Sequence, residues 1–223
     1  MLALTALIFA LWQTPVVVPL KILVVFLHEL SHALAAWLTG GSVEQISLSP
    51  QQGGFAITRG GNLFAILTAG YLGSLLIGAG LLFAALRSEA DRAVTAILGA
   101  VMLLVTLLYV RDLFAAVFCV LSGAALLTMT RVLGHSASDM ALRVIGLSSL
   151  IYVPYDIFDD TIARASQRSD AYMLAESNPV LGWLVVHSQH LHPDLVLAQN
   201  TGHHHQYYLY APPIKKAAPE GAA

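Results

Sequence analysis

The chain has 223 residues, 57% of them hydrophobic and 11% charged, with a formal net charge of −2. Soluble domains carry about 25% charged residues, so an ordinary soluble fold is excluded, and without net positive charge there is no electrostatic case for nucleic acid as a partner. Cys119 is the only cysteine, which excludes an internal disulfide, and its apolar neighbours make it a packing residue.

In chain order, Met1 to Trp12 is apolar, with no basic residue and no small-residue cleavage site. It is expected to stay attached as a hydrophobic lead-in, broken by Pro15 and Pro19, that dips into the membrane as a separate helix. The first membrane segment is predicted over Val16 to Leu38, closed by Gly40-Gly41. Val43 to Thr58 then alternates apolar and polar residues around Pro50-Gln51-Gln52-Gly53-Gly54, which predicts a β-hairpin at the membrane face. A second segment covers Leu63 to Leu86, with Gly70, Ser74 and Gly78 at spacing four for close packing against the motif helix. The third (Ala93 to Val110) and fourth (Leu113 to Thr130) are separated only by Arg111-Asp112 and should form a tight helical pair. A fifth is predicted over Met140 to Phe158. A sixth, over Val180 to Ala198, is interrupted by His187, Gln189, His190 and Pro193. The expected architecture is an all-α polytopic membrane protein of about six transmembrane helices, with a small interfacial β-hairpin after the first. Residues 1–198 form one membrane domain, followed by a polar tail over 199–223 expected to be disordered. Arginine and lysine are spread too evenly between the two faces to orient it.

The first segment contains His28-Glu29-Leu30-Ser31-His32. On a helix this HExxH spacing puts two imidazoles one turn apart on one face. They can supply two of the roughly four ligands of a tetrahedral Zn²⁺, and Glu29 can act as general base toward water activated by the metal. Idle histidines and a carboxylate cost several kcal/mol in hydrocarbon, so their placement points to function.

A zinc site needs a third ligand. Asp112 reads as a helix-end ion pair with Arg111, and Asp139 as the cap of the fifth helix. That leaves Asp156, Asp159 and Asp160, which cluster at the end of an apolar segment, with Arg164 and Arg168 as alternative partners. The hairpin offers a strand edge that could pair with an unwound peptide, with Gly54, Phe55 and Ile57 as the substrate-binding residues. His187, His190, His192 and the run His203-His204-His205 match no metal-site spacing and are assigned no second site.

HELSHALAAWLTGG, ISLSPQQGGFAITRGG, AGYLGSLLIGAG and YDIFDDTIARASQRSDA, in that order, resemble the site-2 protease family of intramembrane zinc metallopeptidases, and within it the small peptidase M50B-like branch. The resemblance covers about Phe26 to Ala175. It implies His28 and His32 as zinc ligands and Glu29 as the catalytic base. Its third ligand is an aspartate in a proline-containing segment, which favours Asp156 after Pro154, with Asp160 and Asp159 behind it. It further implies a membrane protein substrate within the lipid bilayer and a location in a bacterial inner or cell membrane. An asparagine usual before that proline is not seen, Ile157 and Phe158 replace the usual glycines, and there is no PDZ-like insertion; these departures bear on substrate clamping and regulation. Ser169-Asp170-Ala171 also resembles the branch, and by its residues reads as the N-cap of a last amphipathic helix.

The expected function is therefore an intramembrane zinc metalloprotease. The alternative is a non-catalytic membrane binding or assembly factor that keeps the zinc as structure. Ion transport is disfavoured, because the third and fourth segments contain almost no polar residues.

Overall fold

The computed structural model describes residues 1–163 and 169–177. The predicted sixth segment, the tail and all the histidines from His187 onward lie outside the described residues, as do Arg164 and Arg168. The elements run α1 (Leu2–Leu11), α2 (Val18–Leu38), β1 (Ser42–Leu48), β2 (Gly54–Arg59), α3 (Leu63–Arg87), α4 (Asp91–Tyr109), α5 (Leu113–Val132), α6 (Gly134–Phe158) and α7 (Asp170–Ser177). Among the described residues, five stretches are long and apolar enough to cross a membrane: Pro15–Leu38, Leu63–Arg87, Asp91–Tyr109, Leu113–Val132 and Gly134–Thr161. The chain is thus an all-α, multi-pass membrane protein, with a two-stranded hairpin after α2.

The N-terminal lead-in is a separate short helix. Trp12 stacks on Tyr155 of α6 at 5.9 Å between ring centroids and meets Tyr152 edge-on. Pro15 opens a 3₁₀ turn and Pro19 sits in the first turn of α2, where a proline's missing N–H costs nothing. The prolines therefore start elements rather than merely separating them. In α2 burial runs almost all the way round, and Val24, Phe26, Leu27 and Ala36 are fully covered. The motif helix is the centre of the molecule, flanked by α3, α6 and the hairpin.

Helices cross where side chains are small. A β-carbon on Gly146 of α6 would lie 2.7 Å from the carbonyl oxygen of Gly78 in α3, and one on Gly99 of α4 would lie 2.8 Å from that of Gly123 in α5. Ser149 Oγ donates to the Ser74 carbonyl at 2.8 Å across the first of these crossings. The spacing-four stripe of α3 is therefore divided. Gly70 faces the motif helix, whereas Ser74 and Gly78 serve α6.

The hairpin expected after the first span is present. Strands β1 and β2 pair antiparallel from Ser42↔Arg59 to Leu48↔Gly54. The ribbon runs back along α2, so that Gly54 lies against Val25 and Glu29. Val25 is about 20 Å from the end of α2 at about 1.5 Å per residue, so the hairpin reaches well down the helix instead of lying flat at its end. Backbone at that depth must be paired or buried in protein. The free side of β1 meets that requirement through a parallel bridge from Ile46 to Val110 and a 2.7 Å hydrogen bond from Ser47 Oγ to Asp112 Oδ2. Asp112 also accepts the Ala115 N–H at 2.8 Å and so caps α5, while Arg111 donates to the Leu108 and Val110 carbonyls. One aspartate thus starts a helix and anchors a strand. Replacing Asp112 by Ala should cost about 1–2 kcal/mol, read as a lower unfolding temperature in detergent; a Leu113→Ile control, lipid-facing at 80% exposure, should stay near wild type.

Helix α6 continues through Pro154 to Phe158 and passes into a π-helical turn over Asp159–Ala163. Such turns are frequent at functional sites. This one brings the chain back toward α3, on which α7 packs.

Candidate metal centre

His28 and His32 project from one face of α2 with ring centroids 4.8 Å apart. His32 Nδ1 lies 2.7 Å from the Ile66 carbonyl oxygen. A carbonyl only accepts, so Nδ1 carries the proton and Nε2 keeps its lone pair. Both rings are buried, and α3 can approach them only because residue 70 is glycine. A β-carbon there would lie 2.4 Å from His28 Nε2 and 2.6 Å from His32 Nε2.

The third member of the group comes from far along the chain. Asp170, the first residue of α7, places Oδ2 2.9 Å from His28 Nε2 and 2.8 Å from His32 Nε2. The potential ligand atoms of His28, His32 and Asp170 all lie within 4.8 Å of one another. Ser169 caps the helix, its Oγ accepting the Tyr172 N–H at 3.2 Å, as the N-cap reading of this stretch anticipates.

The residues fit a divalent cation. His32 Nε2, Asp170 Oδ1 and Glu29 Oε2 are buried and have no hydrogen-bond partner among the described residues. His32 Nε2 is close to Asp170 without being aligned for a hydrogen bond. Lone pairs gathered in this way and left unsatisfied are costly unless something electrophilic lies among them. Two imidazole nitrogens and a carboxylate are a donor set that zinc accepts.

Glu29, only 1% exposed, stands on the hairpin side of the pair. A β-carbon on Gly54 would come within 2.8 Å of its Oε1. Gly54 therefore leaves Glu29 room, and Phe55 and Ile57 follow it in β2. A small cavity opens beside His32 and Asp170, lined by Ala56 and Thr58 of β2, Ile66 and Leu67 of α3, and Met173 of α7. Since side chains alternate along a strand, Phe55 and Ile57 belong to the other face of the ribbon.

The acidic cluster takes three different places. Asp156, favoured by the sequence for the third ligand, lies 3.7 Å from His28 on its Nδ1 side, opposite the nitrogen that meets Asp170. Asp160 accepts the Tyr71 hydroxyl hydrogen at 2.5 Å. Asp159 lies within electrostatic reach of Lys21, whose ammonium sits 4.8 Å above the Trp12 ring. Clustered carboxylates at the end of an apolar segment, and the proline before Asp156, pointed to the Asp156–Asp160 group, whereas Asp170 read as a helix cap; it is 142 residues from His28 and no spacing rule connects them. The only signal for it in the sequence was the Ser169-Asp170-Ala171 stretch itself.

A family model described as Peptidase M50B-like matches residues 1–192. No curated protein and no solved structure matches the chain.

Proposed function

The chain belongs to the Peptidase M50B-like family, and from that premise we propose that it is an intramembrane zinc metalloprotease, cutting a membrane protein substrate within or beside the bilayer of a bacterial inner or cell membrane. The observation that carries this reading is the convergence of His28, His32 and Asp170 with Glu29 beside them, at the depth of a membrane-spanning helix. We assign the ligands to His28, His32 and Asp170, and place Asp156 behind His28, where a carboxylate near Nδ1 orients the ring.

A zinc ion bound there would supply Lewis acidity, lowering the pKa of water toward 7 and polarising a carbonyl. Glu29 is the base that takes the water's proton and returns it to the departing amine. Among the described residues, its Oε2 has no competing hydrogen bond to break. The His32–Ile66 bond holds that imidazole in one tautomer and one orientation through the reaction. Substrate is held by backbone pairing. The edge of β2 away from β1 has no strand against it among the described residues, and a peptide added there would run past Ala56 and Thr58 toward the histidines. Gly54 begins that edge next to Glu29. Phe55 and Ile57 contribute their backbone to the pairing and their side chains to the opposite face.

Zinc content of the detergent-purified protein tests the assignment. Wild type should carry close to one zinc per chain and Asp170→Ala almost none, whereas Asp156→Ala should retain zinc with about 10- to 100-fold weaker affinity. A zinc-free wild type after zinc has been offered would overturn the reading. Full occupancy in Asp170→Ala with loss in Asp156→Ala would move the third ligand to Asp156.

A further inference from the structure

We propose that Tyr71 and Asp160 form a latch that holds Asp170 in the metal centre, so that a phenol–carboxylate pair outside the ligand set governs metal affinity. The inference rests on the ligand assignment above and goes beyond it, because neither residue donates to the metal in that assignment.

Asp170 reaches the histidines from a short helix that packs mainly on α3 and the π-turn. Eight residues of helix are marginal in isolation, so something must fix the position of α7. The residues on both sides of Asp170 are tied to the same two partners. On one side, the Ala171 N–H donates to the Tyr71 hydroxyl at 3.3 Å. On the other, Ser169 Oγ donates to the Asp160 main-chain carbonyl at 3.5 Å. Tyr71 itself donates to Asp160 Oδ2 at 2.5 Å, which closes the loop between the two ties. Asp160 sits in the turn after α6 and Tyr71 in α3, so the bond also joins the end of α6 to the wall of the site.

Tyr71 also controls the histidine side. It follows Gly70, the residue that lets α3 touch the pair, and its ring stands edge-on to His28 at 5.2 Å. The phenol therefore touches one ligand through its ring and the neighbour of another through its oxygen. Tyr71, Asp160, Ser169 and Asp170 are all buried, so water does not readily replace the lost bonds. A charge-assisted O–H···O⁻ bond of this length belongs to the stronger class of hydrogen bonds. Tyr71 is thus a positioning residue acting through Asp170.

The test is zinc affinity of the full-length protein in detergent, with zinc alone as the probe and a competing chelator to set the free concentration. Tyr71→Phe keeps the ring and removes the hydroxyl, and Asp160→Ala removes its acceptor. Each should weaken zinc binding about 10- to 100-fold, while the helical circular dichroism and elution volume of the metal-free protein stay as in wild type. Because the two act as one device, the double variant should lose little more than either single change. Asp160→Asn, which can still accept from the phenol, should recover most of the affinity lost in Asp160→Ala. Wild-type zinc affinity in Tyr71→Phe, or losses in the two variants that simply add, would overturn the latch. If instead Asp170→Ala binds zinc like wild type, the ligand assignment has failed, and that outcome is separate from failure of the latch. Should Asp160→Ala not fold, Tyr71→Phe with Asp160→Asn carries the same test.

Discussion

Glu29→Gln should leave zinc bound and remove proteolysis. The amide has nearly the volume of the carboxylate, so the packing against Gly54 is kept. It cannot accept a proton, and general-base catalysis is worth about 10²- to 10⁴-fold. The measurement is paired: zinc per chain, and cleavage of a reconstituted single-span membrane protein presented in the same detergent or vesicle. Retained zinc with cleavage lowered by that factor supports catalysis by Glu29. Cleavage at the wild-type rate would end the protease mechanism. An unchanged cellular phenotype in Glu29→Gln, with zinc retained, would favour the alternative of a zinc-structured binding factor.

The second large effect is expected at Gly70, through geometry alone. An alanine there puts a methyl group 2.4 Å from His28 Nε2 and about as close to His32. That distance is well inside van der Waals contact. The obstructing atoms belong to two imidazole rings pinned by Ile66 and Asp170. Either the rings turn away from Asp170 or α3 withdraws from α2. Overpacking of this kind costs about 1–3 kcal/mol, and each escape also breaks the donor set. Gly70→Ala should therefore be nearly zinc-free while still inserting as a multi-pass protein. The control is Gly80→Ala on the same helix, where an added β-carbon meets nothing within 4 Å; its zinc content should equal wild type. Equal zinc in Gly70→Ala and wild type would mean that the two histidines do not bind metal through the nitrogens facing α3.

Much of the fold was legible in the sequence because hydrocarbon imposes simple rules. Long apolar stretches with glycine, proline or charged ends became α2 to α6 with ends shifted by a few residues, and the Arg111-Asp112 junction became the tight α4–α5 connection. The strand alternation from Val43 to Thr58 announced the hairpin. Its depth was not announced, because alternation identifies a half-buried ribbon without saying what covers it. Side-chain chemistry was legible where it is local: an i, i+4 pair of histidines on a helix has one geometry. Long-range partners obey no such rule. The aspartates after Pro154 were the natural candidates as a carboxylate cluster ending an apolar segment, yet the turn after α6 sends them to the Nδ1 side of His28, to Tyr71 and toward Lys21. The carboxylate meeting both Nε2 atoms arrives from the next helix. Tyr71 carried no signal either, since its role depends on α7 docking beside it.

The distance along the chain between the motif and Asp170 sets the order in which the site can exist during synthesis. The two histidines and Glu29 emerge from the ribosome with the first long span, but Asp170 follows the fifth, 142 residues later. Until that point a half-inserted chain carries Glu29 and the two histidines without the carboxylate that meets them. Completion thus coincides with α3 and the end of α6 having found each other. On the proposed assignment, a chain truncated or stalled before Asp170 would hold both histidines without the carboxylate that joins them.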